Sequence, residues 1–182
     1  MSSSLPPGVA ERARRVRVLL FDVDGVLTDG GVIVHADGTE SKRFDIKDGA
    51  GIVIARRAGL TVGLISARQS ASTQHRARQL GMDPVRQGVS DKSAALEELM
   101  RLHDWHPEDI AYMGDDVVDL PVLKRVGLAA CPADAVPEVQ AVAHVVSARP
   151  GGHGAARSLI EDILRAQGRW DGLIAAQVHE RP

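Results

Sequence analysis

Asp22 and Asp24 stand two residues apart, directly after an apolar run, in the segment Asp22-Val23-Asp24-Gly25-Val26-Leu27-Thr28-Asp29-Gly30. Two carboxylates at that spacing leave one loop toward the same side, and Gly25 lets the chain turn immediately after them. A hydroxyl, Ser66, follows a second apolar run. Gly114-Asp115-Asp116-Val117-Val118-Asp119 follows a third. Each alone reads equally well as an ordinary polar turn. Together they put carboxylates and a hydroxyl at three successive run ends. Unpaired carboxylates this close repel, and a cation between them relieves the repulsion. Oxygen donors without His or Cys nearby favour Mg²⁺ over zinc or copper.

The elements that must carry these groups are short apolar strands alternating with helical patterns. Strands are predicted over residues 16–21, 60–65, 110–113, 128–131 and 143–146. Helices are predicted from about Ile52 to Gly59, and over 70–80, 92–102, 118–126 and 155–167. Residues 32–34 and 42–46 flank the turn-prone Ala36-Asp37-Gly38-Thr39 and predict a hairpin within 31–46. Apolar strands alternating with helices imply an α/β fold, a parallel sheet with helices on both faces. Ligands of such sheets bind beyond the carboxyl ends of the strands. The domain reading is a mobile lead-in over 1–15, one domain over 16–168 and an extension over 169–182.

Composition narrows the function classes. Among 182 residues, 44% are hydrophobic and 25% charged, as in globular chains. Lys+Arg 22 against Asp+Glu 24 gives a net charge of −2, which argues against a nucleic-acid binder. Aromatics at 3% leave little for a base-stacking surface. No apolar run approaches a bilayer span, so no membrane contact is expected. A single cysteine, Cys131, suits a reducing compartment, and a cytoplasmic location is expected. Cys131 lies in an apolar run and reads as packing. His103 and His106 have no third ligand nearby and read as helix-end histidines.

Taken in order, DVDGVLTDG, Ser66 within LISAR, Lys92 and GDDVVD resemble the four motifs of the haloacid dehalogenase superfamily of phosphohydrolases, from about residue 16 to residue 167. The resemblance implies a Rossmann-like fold and an aspartyl-phosphate mechanism. Asp22 is the implied nucleophile, and Asp24 the implied acid and then base. Asp22, the Asp24 main-chain carbonyl and Asp115 are the implied Mg²⁺ ligands. Ser66 and Lys92 are implied to hold the phosphoryl oxygens. A lysine opening a helix opposes the helix dipole, so Lys92 wants an anion beside it. Asp116 and Asp119 would support the site from behind, or cap the following helix.

About 40 residues separate Asp24 from Ser66, and about 25 separate Ser66 from Lys92, so neither gap holds a separate cap domain. GVLTDGG leading into a hairpin flap, FDIKDGAGI, GDDVVDLPVL and GGHGAAR before a final helix resemble the 3-deoxy-D-manno-octulosonate 8-phosphate phosphatase family. That resemblance implies a homotetramer whose hairpins form a small barrel, and a phosphorylated sugar acid as substrate. It implies substrate contacts from Asp45, Ile46, Lys47, Asp48 and Gly49, and from Arg68 and Arg76 on one helical face. It also implies a mobile glycine-rich tail, about residues 150–157, carrying Arg157 to a neighbouring site. Val53 and Ser158 stand where the family often has a basic residue and a Glu. A nine-carbon keto-acid 9-phosphate, or a broad range of sugar phosphates, is therefore an alternative substrate. A catalytically silent oligomeric scaffold is the reading from another class.

Overall fold

The computed structural model describes residues 5–179. The helix α1 (Pro7–Arg15) leads into β1 (Val18–Phe21), the hairpin strands β2 (Ile33–Val34) and β3 (Glu40–Ser41), and the helix α2 (Ile46–Arg57). There follow β4 (Thr61–Ile65), α3 (Ala71–Leu80), β5 (Val85–Arg86), α4 (Lys92–His103) and β6 (Ile110–Met113). The chain ends with α5 (Leu120–Leu123), β7 (Leu128–Cys131), α6 (Pro137–Gln140), β8 (Val145–Val146), α7 (Ala155–Ala166) and α8 (Trp170–His179).

Six strands pair in parallel in the order β5-β4-β1-β6-β7-β8. The α/β reading therefore holds, and no separate cap domain is present among the described residues. The period-two alternation of the strands divides the core. Leu19 and Phe21 of β1, with Ala111 and Met113 of β6, face the apolar side chains of α1, α2 and α7. Val18, Leu20, Ile110 and Tyr112 face the opposite layer, which holds Leu96 and Leu99 of α4 and Val122 and Leu123 of α5. Cys131 packs in that second layer, where burial pushes its thiol up to about 11. From β1 the chain moves first to one side of the sheet and later, through β6, to the other. The carboxyl end of β1 therefore lies at the switch point, where such sheets open a crevice.

The ends differ from expectation. Pro7–Arg15 is a helix rather than a mobile lead-in. Proline is pre-organised for a first helical turn, and Ala10 and Ala13, three residues apart, are small enough to be buried against α7. Gln167 Nε2 fixes the helix end by donating to Ala13 O at 3.2 Å and Val16 O at 2.8 Å. Within the 169–182 extension, α8 starts on a buried Trp170. The guanidinium carbons of Arg157 and Arg165 lie 5.0 and 5.2 Å from its ring centroid. Residues 1–4 and 180–182 lie outside the described residues.

The hairpin forms, with a shorter second arm than expected. Asp37 Oδ1 closes its turn by accepting from Thr39 N at 2.9 Å, and Gly38 takes φ +81°. Pairing stops at Ser41. Phe44 makes a lone antiparallel bridge to Thr28, and Asp45 already caps α2, accepting from Lys47 N and Asp48 N. The helix expected over 118–126 is broken into a 3₁₀ turn, Val117–Asp119, and the short α5. There Asp116 and Asp119 cap reciprocally, and Pro121 stands in the first turn of α5. No helix among the described residues is long and apolar enough to cross a membrane.

Candidate active site

Asp22 leaves the end of β1 with its N–H donating to Met113 O at 2.9 Å, which ties it to the end of β6. The turn after it is held from inside by the buried Thr28. Its hydroxyl donates to Val23 O at 3.3 Å and accepts from Gly30 N at 3.2 Å. Gly25 has φ +89°, and a Cβ there would strike the Asp115 carboxylate, so only glycine lets the two loops close on each other. The ends of β1, β4 and β6 thus frame a cleft of about 200 Å³ lined by Asp22, Asp24, Ser66, Arg68, Lys92 and Asp115. A wider hollow of about 1110 Å³ lies near the amino ends of β1 and β4, beside Val18, Thr61 and Arg169, and none of these cleft residues lines it.

Lys92 is the electrostatic centre. Its buried Nζ lies 2.8 Å from Asp22 Oδ1 and 2.7 Å from Asp119 Oδ1. Burial alone would lower this ammonium, but the two carboxylates together raise it above the ordinary lysine value. The anion that the sequence position asked for is thus supplied twice. Asp119 is 0% exposed, and both its oxygens are occupied. Oδ1 also accepts from the Tyr112 hydroxyl at 2.6 Å. Oδ2 accepts from Asp115 N at 3.0 Å and Asp116 N at 3.3 Å. Asp119 therefore shapes the loop and holds Lys92, and has no lone pair directed at a ligand. Asp116 is exposed and accepts from Val117 N at 2.7 Å.

Asp22, Asp115 and Asp119 can each place an oxygen within 4.8 Å of the others. Burial raises Asp22 to about 6, with Lys92 opposing and Asp119 adding to the rise. Burial also raises Asp115 to about 7, reinforced by the charges of Asp22 and Asp119. Asp115 Oδ1 is buried without a hydrogen-bond partner. A buried carboxylate oxygen with no donor, beside a second carboxylate and with no His or Cys, fits a hard cation such as Mg²⁺.

The structure brings Asp22, Asp24, Ser66, Lys92, Asp115 and Arg68 to one cleft. The expected substrate contacts have the following partners in this structure. Arg68 precedes α3 and bonds Glu40 at 2.6 Å, so it shares no helical face with Arg76. Arg76 lies against Gly49 and reaches Gln79 at 2.8 Å and Asp45 O at 3.5 Å. Asp45 caps α2, while Ile46, 77% exposed, and Lys47 face outward. Asp48 is buried, and its carboxylate accepts from Arg157 N at 2.8 Å and Gly154 N at 3.2 Å. It therefore caps α7 from another helix, and burial raises it against those two bonds.

The glycine-rich segment packs within its own chain. Gly151 and Gly152 are buried against the loop of the same chain's first motif, and Gly152 N donates to Val26 O at 2.9 Å. A Cβ on Gly151 would meet Gly25 O. One on Gly152 would lie 2.5 Å from Asp29 N. In this structure the segment backs the Asp22–Asp24 loop, because its lack of side chains lets backbone pack on backbone. Arg157 Nε lies 2.6 Å from Glu161 Oε1, one turn on in α7.

Sequence reasoning missed Lys42 and Tyr112. Lys42 Nζ lies 2.6 Å from Asp24 Oδ1. Tyr112 is the only tyrosine in the chain, three residues before Asp115 in an otherwise aliphatic strand. A buried phenol needs a partner, and that is the signal that could have linked it to Asp119.

Comparison with known proteins agrees with this geometry. A family model described as haloacid dehalogenase-like hydrolase matches residues 82–159. The 3-deoxy-D-manno-octulosonate 8-phosphate phosphatase of Yersinia pestis is 40% identical over 164 residues, 90% of this chain and 88% of that protein. A crystal structure of the Moraxella catarrhalis phosphatase of the same name, in complex with magnesium ion, phosphate ion and KDO, superposes with TM-score 0.91. It is 33% identical, over 93% of this chain and 97% of that one. The cobalt-bound Haemophilus influenzae phosphatase superposes with TM-score 0.88 at 34% identity, over 93% of this chain and 99% of that one. The four motifs, the capless sheet and these relatives agree: the chain belongs to the haloacid dehalogenase-like hydrolases and, among them, to the 3-deoxy-D-manno-octulosonate 8-phosphate phosphatase family of phosphoric monoester hydrolases.

Proposed function

We propose that this protein hydrolyses 3-deoxy-D-manno-octulosonate 8-phosphate with Mg²⁺, through a phosphoryl group carried on Asp22. The observation that carries the reading is the buried Asp22 carboxylate at the β1 end, with Lys92 at 2.8 Å and Asp24 two residues on in the same cleft. An Asp22 oxygen attacks phosphorus as the bond to the sugar oxygen breaks. Asp24 gives that oxygen its proton, and Lys92 and Ser66 hold the phosphoryl oxygens. Water, losing a proton to Asp24, then displaces Asp22 from phosphorus and releases inorganic phosphate. Asp22, the Asp24 main-chain carbonyl and Asp115 would hold Mg²⁺, which when bound offsets the negative charges of nucleophile and substrate. Val53 packs partly buried against the core, so the substrate screen includes a nonulosonate 9-phosphate.

Phosphate release from the octulosonate ester should vanish in chelator and return with Mg²⁺, and Asp115→Ala should raise the Mg²⁺ concentration required. Full turnover in chelator would contradict the reading. The oligomer belongs to the same proposal. Ile33 and Val34 at the hairpin, 62% and 68% exposed, form an apolar surface that a second copy would cover. We therefore expect a homotetramer by sedimentation at micromolar concentration, and a monomer there would defeat it.

A further inference from the structure

Lys42 follows β3 by one residue, at the root of a hairpin whose tip is open to solvent. Its own side chain is 0% exposed. Nζ lies 2.6 Å from Asp24 Oδ1 and 2.8 Å from Oδ2, so both carboxylate oxygens face one ammonium. A lysine is withdrawn from water this completely only when its charge is compensated. Arg68 approaches the same carboxylate from the loop after β4, with Nε 3.7 Å from Asp24 Oδ2, while its Nη2 reaches Glu40 of β3 at 2.6 Å. The base of the hairpin thus grips Asp24 directly through Lys42, and indirectly through Glu40 and Arg68. The hairpin turn is closed by Asp37 and does not need either contact.

We propose that Lys42 is a positioning residue for Asp24, holding its carboxyl group toward the leaving oxygen and stabilising the charge left when the proton departs. The proposal rests on the reading of Asp24 as the general acid. In that step the phosphorus–oxygen bond of the ester breaks, and its electron pair goes to the sugar oxygen. That oxygen takes the proton of Asp24. Asp24 is left as a carboxylate against the Lys42 ammonium, which keeps its own protons. The placement of the hairpin thereby sets the placement of the acid.

Leaving-group dependence separates this role from a merely structural one. A sugar alkoxide needs the proton as it departs, whereas a nitrophenolate does not. In Lys42→Met, kcat/KM for the octulosonate ester should fall on the order of 10²-fold, the scale of a misplaced catalytic group. The same variant should lose only a few-fold on 4-nitrophenyl phosphate, a rate that also reports a folded site. Lys42→Gln carries the same expectations if the Met variant does not fold. Asp24→Asn should show the same selectivity. Asp24→Asn combined with Lys42→Met should be no slower than Asp24→Asn alone, because the two residues act as one unit. Equal losses on both esters in the Lys42 variants, or additive losses in the double variant, would overturn the role of Lys42 while leaving Asp24 as the acid. Equal losses on both esters in Asp24→Asn would overturn the acid and, with it, the proposal.

Discussion

Asp22→Asn should reduce turnover to background while the protein melts at the wild-type temperature or above it. An amide is nearly isosteric with the carboxylate but cannot attack phosphorus, and no Ser or Cys in the cleft has a base placed to activate it. The expected loss is on the order of 10⁶-fold, the scale at which an enzyme loses its covalent nucleophile. Stability should not follow activity. Asp22, Asp115 and Asp119 crowd three carboxylates into one small volume, and the charge of Asp22 is one of the causes that push Asp115 up. Removing that charge relieves repulsion, and Lys92 keeps its 2.7 Å pair with Asp119. Phosphate release and a thermal melt on one preparation check both halves. Near-wild-type turnover would sink the assignment.

Lys92→Met should lose activity and stability together. The ammonium lies between two buried carboxylates, at 2.8 Å and 2.7 Å, and Asp119 has no water to turn to. Removing one partner of a buried ion pair leaves an uncompensated charge, which costs about 3–5 kcal/mol. Phosphate release should fall to near background because a donor to the phosphoryl oxygens is gone. Adding Asp119→Asn should recover part of the melting temperature without recovering turnover, because it removes the stranded charge but restores no cation. A Lys92→Met protein that melts with the wild type would show that these carboxylates do not depend on Lys92.

Much of this site is legible in the sequence, because strand ends are written in short-range pattern. Apolar runs of four to six residues, each followed by Asp, Ser or Gly-Asp, place Asp22, Ser66 and Asp115 at one sheet edge before any contact is known. Lys92 is legible for a different reason, since a cation opening a helix demands an anion. The hairpin is legible from Asp37-Gly38. The side-chain economy behind the cleft is not legible. Nothing local tells Asp48 that its carboxylate will cap α7, whose N–H groups come from residues 154 and 157. Gly151 and Gly152 read as flexible because glycine is flexible in isolation, yet here their bare backbone fits where a Cβ would meet Gly25 and Thr28. Lys42 carries no local signal, because only the folded register turns its side chain inward. The lead-in misleads through composition: Ser, Pro and Arg dominate its letters, while Ala10 and Ala13 decide its packing.

The most direct measurement is the mass of the peptide containing Asp22 after rapid acid quench of the wild-type enzyme turning over 3-deoxy-D-manno-octulosonate 8-phosphate. The account predicts a phosphoryl increment on that peptide, located at Asp22, present with Mg²⁺ and absent in chelator and in Asp22→Asn. Turnover of the ester with no phosphoryl group on Asp22 at any quench time, or with the group on another residue, would contradict it.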